Sequence, residues 1–132
     1  MSDALSLLLA FLLTGGVLSM SGVLLLWLAR RSERGLLKRN QIAGVRTTLT
    51  LSSDVAWYPA QRAASPKTRV AAWGALIGGT AIVALGLWGL LFGTNIVIYM
   101  ILTFDSVGWL LGWVLAGAGD AQRAARDALT HA

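Results

Sequence analysis

The chain has 132 residues, 56% of them hydrophobic and only 13% charged, with a formal net charge of +5 and no cysteine. Soluble domains carry about a quarter charged residues, so the composition excludes one and points to a membrane protein. Without cysteine there is no disulfide, thiol chemistry or thiolate metal site, and a lone His131 makes no histidine cluster; no cofactor or metal is expected.

The first apolar segment runs from residue 4 to residue 29 without an ionisable group. About 20 apolar residues, at about 1.5 Å each, cross a hydrocarbon core of about 30 Å. A cleavable signal peptide has a basic opening and an apolar core of about 7–15 residues. This segment opens Met1-Ser2-Asp3 and ends in Arg30-Arg31, so it reads as a retained first helix.

Residues 30–69 follow, holding nine of the eleven Lys and Arg residues against Glu33 and Asp54. Short loops rich in Lys and Arg stay in the cytoplasm. That places the segment inside, the N-terminus outside, the turn at 92–95 outside and the tail 119–132 inside, in a bacterial inner membrane. The basicity is thus a topology signal, and no nucleic-acid partner is expected. Residues 30–38 continue the first helix, weakened by Gly35, with basic side chains suited to anionic headgroups. Residues 42–51, rich in Val and Thr, read as extended. Ser52 or Ser53 caps a short helix that Pro59 breaks or restarts, and Ser65-Pro66 opens the second membrane helix, about 70–92.

The third membrane helix covers about 95–118, joined to the second by a very short turn that makes the two an antiparallel hairpin. Trp27 and Trp73 fall near the cytoplasmic ends of their helices, where interfacial aromatics belong. Small residues form stripes: Gly15, Ser19 and Gly22; Ala72, Gly79, Gly86 and Gly93; Gly74 and Gly78; Gly108, Gly112 and Gly119. Such stripes let helices approach closely in lipid. They serve one three-helix bundle, a homodimer or a partner helix. The fold class is therefore all-α: an integral membrane three-helix bundle, one domain, with an ordered basic loop between helices 1 and 2.

Two places carry candidate functional residues. In the basic loop stand Asn40, Gly44, Arg46, Thr47, Asp54 and Trp57. Gly44 permits a positive φ, and Arg46 offers a planar fork to a carboxylate or phosphate, with Asp54 as its expected intraloop partner. Trp57 is a large anchor for the helix ends or the headgroup region. These residues either order the loop or bind a peptide, lipid or regulator, and the two roles are compatible. The second place is Asp105, about ten residues into the third helix. A lipid-exposed carboxylate there costs about 2.5–3.5 kcal/mol, so it is expected to face the bundle beside Gly108 and Gly112, hydrogen-bonded to Thr14, Ser19, Ser21, Thr80 or a Trp N–H. Trp109 and Trp113, four apart, read as packing residues. No Ser/His/Asp set, Walker loop or pair of carboxylates is visible, so no enzyme is expected.

The stretch Asn40…Gly44-x-Arg46-Thr47…Ser52-x-Asp54…Trp57 resembles the SdpI immunity-protein family (SdpI/YfhL-like), over roughly residues 39–62 and with one helix before and two after. Where family members tend to have His-Arg four residues past the Trp, this chain has Gln61-Arg62. The likeness is to the short, three-helix kind of member. It implies a non-enzymatic membrane protein giving immunity or resistance to a secreted membrane-active peptide, with a loop able to recruit a regulator. The alternatives are a small accessory subunit of a larger bacterial membrane complex and, resting on Asp105, a proton-coupled exporter.

Overall fold

A computed structural model describes residues 2–131. It consists of three long helices, α1 (Asp3–Glu33), α2 (Asp54–Phe92) and α3 (Ile96–Thr130), with one 3₁₀ turn at Thr50–Ser52 between the first two. No strand occurs among the described residues. Each helix is long and apolar enough to cross a membrane, and the apolar side chains facing outward, such as Leu13, Val17, Ile77, Phe104 and Leu115, suit lipid.

α2 is the central helix, and its small residues let both neighbours approach. On the α1 side Gly79 lies against Gly15, each so close that a Cβ would stand 2.6 Å from the other's carbonyl oxygen. Gly22 meets the Ala72 carbonyl, and Gly86 lies under Phe11. On the other side Gly74 lies under the Trp109 ring and Gly78 under the Ser106 hydroxyl. Ala72, Gly79 and Gly86 thus face α1 and Gly74 and Gly78 face α3, while Gly93, expected in the first stripe, caps α2 at φ 88° and borders open space. α1 and α3 themselves meet where Phe11 tilts against Tyr99, ring centroids 4.4 Å apart, and Thr14 Oγ1 lies 2.7 Å from the Tyr99 hydroxyl.

At the basic end the helices continue past their apolar segments. There the first turns of α2 and the last turns of α3 zip along alanines, with Ala56, Ala60, Ala64, Ala121 and Ala125 all buried and Val45 and Leu49 packed against them. This corrects two expectations. α2 does not begin at Ser65-Pro66 but at Asp54, capped by the Ser53 hydroxyl, and it runs through both Pro59 and Pro66. The tail is the end of α3, helical to Thr130. Pro66 cannot donate to the Arg62 carbonyl, the bond an interior helix position normally supplies; the Ser65 hydroxyl donates to that carbonyl instead, at 2.8 Å. Pro59 sits early in the helix, and the Val55 carbonyl it leaves without a helical donor belongs to an exposed residue.

Candidate functional site

The linker 34–53 is a folded cap, and the motif residues fold it. α1 ends in a Schellman turn: Gly35, at φ 69°, donates to the Ser32 carbonyl (3.3 Å) and Leu36 to that of Arg31 (2.9 Å). This turns the chain back, a closure that a positive-φ glycine makes without strain. Next, the Asn40 side chain accepts from the N–H groups of Ile42 (2.8 Å) and Ala43 (2.7 Å) and donates to the Lys38 carbonyl (2.7 Å). An asparagine suits this because its carboxamide imitates a backbone turn.

Gly44 stands at φ 104°, and a Cβ there would lie 2.7 Å from Gln61 Oε1. Both conformation and space therefore require glycine, as its place in the motif suggests. Gln61, 2% exposed, holds Val45 with its whole amide: Oε1 accepts from the Val45 N–H and Nε2 donates to its carbonyl, each at 2.8 Å. Thr47 and Thr50 form a reciprocal pair, each backbone N–H donating to the other's hydroxyl (2.8 and 3.1 Å), while the Thr50 hydroxyl donates to the Val45 carbonyl at 2.9 Å. The Thr47 hydroxyl also reaches α3, donating to Gln122 Oε1 at 2.8 Å. Below them Trp57 is fully buried, its indole N–H donating to the Leu37 carbonyl at 2.8 Å.

Asn40, Gly44, Thr47 and Trp57 are therefore brought into one structure, and each spends its polar groups inside the cap. Arg46 and Asp54 behave differently. The expected Arg46–Asp54 pair does not form: Arg46 reaches only the Gln41 carbonyl and stays exposed, and Asp54 meets Arg39 at 3.6 Å. Asp54 is the first residue of α2, where a carboxylate also complements the helix dipole. Ile42, next in sequence to the Gln41 whose carbonyl Arg46 reaches, is 88% exposed.

Sequence reasoning missed Gln61, Thr50, Gln122 and Leu37. For Gln61 a signal existed. It lies four residues past Trp57, so the two share a helical face, but only if the helix is carried through Pro59. The bonds from Thr47 to Gln122 and from Trp57 to Leu37 join distant parts of the chain and leave no local trace.

Asp105 also departs from expectation. It does not turn into the bundle but is exposed, in a groove beside Gly74, Gly78 and Trp109. Its neighbour Ser106 takes the buried place against Gly78, so the helix rotation that seats Ser106 and Trp109 carries Asp105 outward. Trp109 is fixed by an indole bond to the Val70 carbonyl (2.9 Å) and tilts against Trp113. Gly108 and Gly112, expected in a packing face, border open space.

One ion pair fastens α2 to α3. Lys67 Nζ lies 2.8 Å from Asp120 Oδ2, with Arg123 on the same carboxylate. The hydrogen bond from Lys67 holds the Asp120 carboxyl below its ordinary pKa, against a smaller opposing effect of desolvation. Among the described residues no group of His, Asp or Glu could hold a metal ion.

A model of the SdpI/YfhL protein family matches residues 36–118, from the cap through the third apolar segment. No curated protein and no solved structure matches the chain.

Proposed function

The chain belongs to the SdpI/YfhL protein family, and from that premise we propose that it is a non-enzymatic immunity or resistance protein that intercepts a secreted membrane-active peptide. In this reading the cap lies on the cytoplasmic side of a bacterial inner membrane with the N-terminus outside, an orientation that the basic residues clustered at that end favour. The observation that carries the reading is the division of labour within the motif. Asn40, Gly44, Thr47 and Trp57 build a cap with no buried side-chain polar atom unsatisfied, while Arg46, and Ile42 four residues before it, remain exposed. An exposed cation and an exposed large apolar side chain on one hydrogen-bonded loop suit a peptide or a regulatory protein. Rigidity lowers the ordering cost of binding.

The test is survival of the host, with and without the gene, against membrane-active peptides of neighbouring strains. Deletion sensitises cells, and Arg46→Ala at normal membrane abundance fails to restore resistance. Equal survival of deleted and intact strains across such peptides removes the immunity reading.

A specific observation favours a second reading, an accessory subunit of a larger membrane complex. Asp105, Gly108 and Gly112 share an open face of α3, and a carboxylate at membrane depth is costly without a partner. Stoichiometric co-purification of a larger assembly, lost on Gly112→Leu, supports that reading; purification of this chain alone counts against it.

A further inference from the structure

We propose that the cleft between α1 and α2 at the basic end binds the phosphate of an anionic membrane lipid. The cleft, about 680 Å³, is lined by Trp27, Arg30, Glu33, Arg34, Arg69 and Trp73. Its charges meet across the cleft, the Arg69 guanidinium reaching the Glu33 carboxylate of α1. Arg30 is the first residue beyond the apolar run of α1 and Arg69 the last before that of α2. Trp27 and Trp73 lie three and four residues deeper, roughly one helical turn, about 5 Å, toward the hydrocarbon. On each helix an arginine stands one turn above a tryptophan, the order of a lipid, whose phosphate lies above its glycerol and acyl chains. Interfacial tryptophans occupy that depth.

The charge balance favours an anion. Three arginines face one carboxylate, and Glu33 is already engaged by Arg69. Arg30 and Arg34, one turn apart on α1, have no ion-pair or hydrogen-bond partner for their side chains among the described residues, where the other arginines of this end find carbonyls or carboxylates. Two unengaged planar forks beside a third are suited to phosphate oxygens, which guanidinium binds bidentately. The half-exposed indoles form an apolar wall that a lipid uses and a soluble anion does not.

The test is native mass spectrometry of the full chain in mild detergent with equimolar phosphatidylglycerol and phosphatidylcholine. At about 5-fold per juxtamembrane arginine, the adduct ratio is expected to favour phosphatidylglycerol by about 25-fold through Arg30 and Arg34. The double variant Arg30→Gln/Arg34→Gln brings the ratio close to one, whereas Arg30→Lys/Arg34→Lys keeps most of it. Arg123→Gln/Arg126→Gln, at the far end of α3, leaves it unchanged. Arg30 and Arg34 are exposed, so unchanged thermal unfolding of each variant is expected and is checked alongside. Equal retention of both lipids by the parent overturns the proposal, as does equal loss of preference in both glutamine pairs. Displacement of the lipid by excess inorganic phosphate overturns the assignment to lipid in favour of a soluble anion.

Discussion

Gly44, Trp57 and Gln61 hold the cap by identifiable means, so substitutions there separate folding from recognition. Gly44→Ala forces a side chain into positive φ and against the Gln61 amide. About 1–3 kcal/mol of cap stability is expected to go, read as faster tryptic cleavage at Lys38, Arg39 or Arg46. Trp57→Phe keeps most of the packing but orphans the buried Leu37 carbonyl, at about 1–3 kcal/mol. Trp57→Ala adds a cavity and costs about 3–5 kcal/mol. Arg46→Ala, on an exposed side chain, is expected to stay within about 0.5 kcal/mol of the parent. If it opens the cap as readily as Gly44→Ala, Arg46 belongs to the fold and the recognition role assigned to it fails. Much of this was legible at the residue scale. A glycine and an asparagine in a short polar linker announce turns, and a tryptophan there announces an anchor. The partner of Arg46 was not legible, because opposite charges close in sequence pair only if the chain between them folds suitably, and Thr47–Thr50 turns Arg46 away from Asp54.

Between elements, the glycines decide how near the helices come. Gly15→Leu must push against the backbone of Gly79, whereas Gly16→Leu points into open space. The first is expected to lower the unfolding midpoint in detergent by the equivalent of about 1–3 kcal/mol, the usual cost of overpacking, and the second to leave it unchanged. Equal effects would mean that α1 and α2 are not held at this seam. The α2–α3 junction carries a pH dependence. Asp120 has a folded-state pKa below its unfolded value of about 3.9 because of Lys67. Its contribution is fully present above the unfolded value and is lost as pH falls through the folded one. Unfolding midpoints are expected to drop below about pH 4, with a shallower drop in Asp120→Asn. The three apolar spans could be read from length alone. The start of α2 could not, since two prolines normally stop a helix and only the Ser65 hydroxyl's bond to Arg62 shows how this one continues. The rotation of α3 was equally hidden. Asp105 and Ser106 are adjacent polar residues, and the cost of an exposed carboxylate argued for the wrong one.

For the molecule as a whole, the cysteine-free chain makes sidedness simple to measure. Ser52→Cys in the cap is expected to react with an impermeant maleimide only after the inner face is opened, and Thr94→Cys in the α2–α3 turn to react from outside; the reverse pattern inverts the topology. The helices also exceed the membrane. α2 has 39 residues, a rod of about 58 Å at 1.5 Å per residue, against a hydrocarbon core of about 30 Å. Because the cap is built on the first turns of that rod, with Trp57 and Gln61 as its pegs, it moves as the far arm of a lever pivoting in the bilayer. A tilt of about 5° around the midplane, about 40 Å away, swings the cap sideways by about 3.5 Å. Bilayer thickness, to which helices adjust by tilting, is thereby converted into displacement of Arg46 and Ile42 over the membrane surface. A peptide that thins the membrane would move the surface that meets it before making any contact.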